Sequence, residues 1–331
     1  MTHLGLVGRE TTPDGTSTAW LERILAGPVL RDVPVPIVEP ADERDALITL
    51  LGIHDLWMAP LDRLGGREVH QSNPDVVRLK ASLEGWFVER LDGRCPEAGL
   101  APGEAVSALR TIAATNLVPA TYGWLADDAT WEQLVHYLAL EGGPDGGFDD
   151  LVALAQIGIE GDPKVALAAN YWDEMGRGDL AAVHTELHRR LVDALEMPAV
   201  SRREVPVSAL ERSALNGLLA TNRHLQPEMI GALGLLEMQA GPRCRAVLKA
   251  LRRLDAPRDS FPFYEEHAQA DPRHGKDWLD RVVGPLASDP DWGARMLRGA
   301  HWRADINARF FRDAQRLCQE AFPAPSEAKI A

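Results

Sequence analysis

Between Phe261 and Trp278 the chain reads FPFYEEHAQADPRHGKDW, and within it His267, Asp271 and His274 stand at i, i+4 and i+7. At about 100° per residue these three side chains project from one face of a helix. Two imidazoles and a carboxylate on one face make half a metal site, of the mixed kind that iron and manganese accept. Dimetal sites in bundle cores recruit ligands from several facing helices, so the other half is to be sought as carboxylates on apolar helix faces. Pro272 removes a helix hydrogen bond and disfavours the α conformation at Asp271, which predicts a kink at these ligands.

Three further segments supply carboxylates. In TWEQLVHYLALEGG, Glu141 shares a face with Leu134, Tyr137 and Leu138, whereas Glu132 lies on the opposite side. A carboxylate on an apolar face is costly unless paired or bound to metal, although Glu141 could also reach water past Gly142 and Gly143. In NYWDEMGRGDLAAVH, Glu174 precedes His184 by ten residues, about 80° short of three full turns, so a regular helix would not aim both at one point. Gly176 and Gly178 between them can unwind it. Glu237 stands on the apolar face of Ile230, Leu233 and Gly234, where the alternative to a metal is a buried ion pair with Arg243 or Arg245.

The other titratable residues have blander readings. Asp173 and Asp179 flank the glycines as capping or supporting groups, and His188 sits at a polar edge beside Arg189 and Arg190. His54 and His70 read as surface or core-edge histidines, Glu132 with His136 as a solvated pair, and His301 as a packing residue. Tyr137, Trp172 and Tyr264 lie within a turn of the candidate ligands and either pack the core or line a pocket.

The elements that must position these residues are helical. Nearly every periodic segment has the 3.6-residue period, and the β-branched run VPVPIV is broken by prolines, so the class is all-α. The chain divides by pattern into a helical extension over residues 1–115, for packing or dimerisation, a bundle over 116–315, and a tail over 316–331. The 331 residues carry 35 basic and 49 acidic side chains for a net charge of −14, which argues against a nucleic-acid partner. Cys95, Cys244 and Cys318 suggest neither a disulfide framework nor a thiolate metal cluster, and a reducing cytoplasm fits. No secretion signal or membrane span is expected.

Collected, the inward candidates are Glu141, Glu174, His184, Glu237, His267, Asp271 and His274. Four carboxylates nearly cancel two divalent ions, which favours two irons over one. In this order, with Glu-x9-His on one helix and His-x3-Asp-x2-His on a later one, the set resembles the haem-oxygenase-like diiron oxidases and oxygenases. The phrases NYWDEMGRGD and EEHAQADPRHG are similar to that family's as well, over residues 115 to 312. The resemblance implies a seven-helix bundle without haem, two weakly held Fe(II) ions and dioxygen as cosubstrate. Histidines 184, 267 and 274 would fix the irons, Glu174 or Glu141 would bridge, and Glu237 with Asp271 would complete the coordination of the second iron. It further implies oxidation of a small molecule in biosynthesis, with an external electron donor and a homodimer as expected partners. N-oxygenation of an amine-bearing metabolite is the first expectation. Desaturation or carbon–carbon cleavage of an amino or fatty acid is the alternative, and a non-catalytic helical scaffold stands against both.

Overall fold

The computed structural model describes residues 16–26, 40–95, 103–143 and 148–323, with the side chain of Asp271 outside the described set. The proline-broken run and the last eight residues of the expected tail lie outside it too. Every regular element among the described residues is a helix, and none is long and apolar enough to cross a membrane.

Two compact units are formed, one from Met1–Arg94 with Leu210–Thr221, the other from Cys95–Ala209 with Asn222–Ala331. The first holds α1 (Ser17–Ala26), α2 (Glu43–Met58), α3 (Leu61–Leu64) and α4 (Pro74–Arg94), together with most of α11 (Val207–Thr221). Leu47, Leu50, Ile53, Val76, Phe87 and Leu91 build its core. His54 and His70 are both buried rather than at a surface. For His54 the physical reason is a polar network: its Nε2 lies 2.9 Å from Glu84 Oε1, and Lys80 Nζ donates to Glu84 Oε2 at 2.9 Å. Burial is tolerated where such groups satisfy one another.

The second unit contains α5 (Ala105–Ala114), α6 (Ala120–Asp127), α7 (Trp131–Gly142), α8 (Phe148–Ala155), α9 (Gly161–Glu174), α10 (His184–Ala194), α12 (Gln226–Arg253), α13 (Pro262–Asp277), α14 (Gly284–Leu286) and α15 (Pro290–Ala321). Its spine is α12, which packs against α13, α15 and α6. From Gln226 to Leu235 every residue of α12 is buried, as expected of a helix surrounded by others. A capping box of Thr130 and Gln133 fixes the start of α7. Tyr122, Tyr137, Phe310 and Phe311 close the core by edge-to-face and tilted ring contacts.

The helix α13 runs through Pro272 without a break and passes into a π-helical turn, Trp278–Val283. Pro272 cannot donate to the carbonyl of Ala268 one turn before it. Arg245 Nη1 donates to that carbonyl instead, at 3.3 Å, so the acceptor freed by the proline is not left without a donor.

Candidate metal centre

Glu174, Glu237 and His274 converge: one donor atom from each lies within 4.8 Å of the others, and all three side chains are buried. They come from the C-terminal end of α9, the middle of α12 and the last turn of α13. Gly275 makes the approach of α13 possible. A Cβ there would stand 2.9 Å from Met238 Cα and 3.1 Å from the Glu237 carbonyl oxygen, so only glycine lets the two backbones come this close.

His184 joins this group through a broken helix. After Glu174 the chain leaves the α conformation, with Gly176 at φ 59° and Arg177 at φ 54°, passes through two 3₁₀ turns, and restarts as a helix at His184. A Cβ on Gly176 would sit 2.5 Å from the Ala182 carbonyl carbon, so this reversal depends on glycine. The result is His184 Nδ1 2.7 Å from Glu174 Oε2. The contact is off the line of a hydrogen bond, and His184 Nε2 is buried with no hydrogen-bond partner among the described residues.

His267 lies beside His184, ring centroids 4.5 Å apart, and its Nδ1–H donates to the Phe263 carbonyl at 2.7 Å. Burial, with His184 adding to it, pushes the His267 pKa down to about 4, which keeps the imidazole neutral and able to donate a lone pair at neutral pH. Asp271 occupies the expected register of α13 between the two histidines; its side chain is outside the described residues.

Glu141 is not drawn into the group. It is half-buried at the end of α7 and accepts a hydrogen bond from the Tyr122 hydroxyl. It also faces Tyr264, whose pKa burial and this carboxylate raise well above the ordinary value. His188 packs against Phe263 and His136 against Phe322. Tyr137 is core, whereas Trp172 is 54 % exposed.

The arginines that could have neutralised Glu237 are engaged elsewhere, Arg243 on the Asn116 and Leu117 carbonyls and Gln239, Arg245 on Ala268. Asn170 Nδ2 donates to Glu237 Oε1 at 2.9 Å instead. Asn170 lies one turn before Glu174 on the same face of α9, and that spacing is the signal by which the sequence could have revealed it. Burial, with the nearby Glu237 charge adding to it, raises the Glu174 pKa against the pull of His184.

Elsewhere the protein treats buried carboxylates differently. Glu228, with a fully buried side chain, is paired with Arg295 and Arg298, and Glu211 with Arg94. Among the described residues no lysine or arginine pairs with Glu174 or Glu237. Two buried carboxylates with no fixed cation among the described residues, beside an imidazole nitrogen with no partner among them, fit a divalent metal. A cleft of about 210 Å³ opens alongside, lined by Asn170, Trp172, Asp173, Arg273, His274 and Asp277 among others.

Comparison with curated proteins finds no match. A family model described as "iron-containing redox enzyme" matches residues 135–308, more than half of the 331-residue chain and a span within which the seven candidate positions fall, and the chain belongs to that family.

Proposed function

We propose that this chain is a dioxygen-dependent, non-haem diiron oxygenase acting on a small amine-bearing metabolite, which it oxidises at nitrogen. The observation that carries the metal reading is the contrast among buried glutamates: those at 211 and 228 have guanidinium partners, those at 174 and 237 have imidazoles and an amide. Bound ferrous ions would supply the electrons and the coordination positions for dioxygen activation. Glu174, Glu237, His184, His267 and His274 would hold them, with Asp271 and, on release from the Tyr122 hydroxyl, Glu141 as further donors.

The rest of the reading follows from the surroundings. Burial of the site excludes bulk water, which strengthens every electrostatic contact inside it. The cleft beside the site admits a small molecule, and the net charge of −14 is compatible with a cationic one. N-oxygenation places one oxygen atom on nitrogen and releases the other as water, so two electrons must come from an external donor. Anaerobic titration with ferrous iron tests the metal reading: two ions per chain are expected, followed by dioxygen uptake that rises with a suitable primary amine. A wild-type chain that takes up no iron would overturn it.

A further inference from the structure

We propose that Asp173 is the positioning residue for His274, turning the Nδ1 edge of that imidazole toward Glu237 by accepting a hydrogen bond from Nε2. The inference rests on the metal reading above, but it concerns a contact between two protein side chains and can be tested without metal.

Asp173 Oδ2 lies 2.8 Å from His274 Nε2, with both side chains buried. The Nδ1 edge of the same ring is 3.5 Å from Glu237 Oε2. The imidazole thus stands between Asp173 and the converging donors, so Asp173 is not one of them although it is next to Glu174 in the chain. A carboxylate behind a ligating imidazole fixes the tautomer and the ring orientation, and its loss usually costs about 10–100-fold in metal affinity.

Asp173 is itself held. Its Oδ1 accepts from Arg177 Nη1 at 3.1 Å, and Arg273 pairs with its Oδ2. Arg177 also donates to Glu266 Oε1 at 3.0 Å, which ties the turn after α9 to α13. The same left-handed residue that helps return the chain to His184 therefore anchors the carboxylate behind His274. His267 is presented differently: a main-chain carbonyl takes its Nδ1–H, so its Nε2 is the edge left for a metal. The two imidazoles of α13 are offered through opposite nitrogens.

The experiment uses the full chain with Asp173→Ala, Asp173→Glu and Arg177→Ala. In the metal-free protein, ¹⁵N imidazole spectra should show His274 protonated at Nε2 in wild type and in Arg177→Ala, and a tautomer mixture in Asp173→Ala. Ferrous-iron affinity should fall about 10–100-fold in Asp173→Ala, recover largely in Asp173→Glu, and fall less in Arg177→Ala, which leaves the acceptor in place. An unchanged tautomer in Asp173→Ala, or equal losses in Asp173→Ala and Arg177→Ala, overturns the proposal, the second because it would mark a merely structural ion network. If wild type binds no iron, the diiron reading fails and the tautomer comparison alone decides this one. Asp173→Asn, of nearly the same shape, replaces the alanine variant if that does not fold, with the same direction expected.

Discussion

At Glu237 one side chain separates a metal centre from a packed core. A carboxylate at this depth is costly without a cation, and its polar contacts among the described residues are the Asn170 amide and the His274 ring. Glu237→Gln keeps the volume and removes the charge, so the diiron reading expects about one iron per chain instead of two, with unchanged far-ultraviolet dichroism; an unaltered iron count would remove Glu237 from the ligand set. His267 carries a second prediction, for the metal-free protein. Its pKa of about 4 lies below the ordinary 6.5, so between those values the unfolded chain binds more protons than the folded one. Stability therefore falls as pH drops from about 6.5 to about 4, by an amount on the order of 3 kcal/mol at most. Glu174, whose pKa is raised, acts in the opposite sense, so the comparison is made with His267→Gln rather than on the raw profile. Urea unfolding at pH 7 and 4.5 should show a smaller pH effect in the variant, and equal effects would refute the assignment. That Glu174, Glu237 and His274 face one another was legible because their spacing and their apolar faces are local properties. Asp173 behind His274 was not, since that contact joins two helices whose packing the sequence does not spell out.

The break between α9 and α10 is the element on which the site turns. Ten residues of regular helix would separate Glu174 from His184, and the two glycines signalled the remedy that the structure adopts. Gly176→Ala would force a non-glycine residue to φ 59° with its Cβ 2.5 Å from the Ala182 carbonyl carbon. A loss of at least about 1 kcal/mol is expected from the backbone alone, together with weaker iron binding as His184 moves away from Glu174. Thermal unfolding and iron titration check the two parts, and a variant as stable as wild type would show that the turn is not constrained as described. Pro272 illustrates what local pattern cannot convey. By itself it predicts a kink and a carbonyl at Ala268 without its donor; in the structure α13 runs as one helix through it, and a guanidinium from α12 donates to that carbonyl. No window on α13 contains that arginine.

Over the whole molecule the helical class followed from period alone, because an amphipathic helix writes its buried face into its own sequence. The grouping of Leu210–Thr221 with the N-terminal helices did not, since it depends on tertiary partners rather than on a break in pattern. Nor did the network of His54, Glu84 and Lys80, which joins α2 to α4 and puts polar groups into the first unit's core. None of the candidate ligands comes from that unit, so its stability and the metal chemistry should be separable by mutation. Glu84→Ala would leave a lysine ammonium, 8 % exposed as a residue, without the carboxylate that accepts from it at 2.9 Å. Breaking a buried pair by removing one member costs about 3–5 kcal/mol, far more than a surface ion pair contributes. Urea unfolding should therefore shift by roughly that amount, while ferrous-iron stoichiometry, measured under conditions where the variant is folded, stays at the wild-type value. A shift below about 1 kcal/mol would place the Lys80–Glu84 pair among the weak, solvent-screened kind, and a loss of iron would mean that the first unit does contribute to the metal centre.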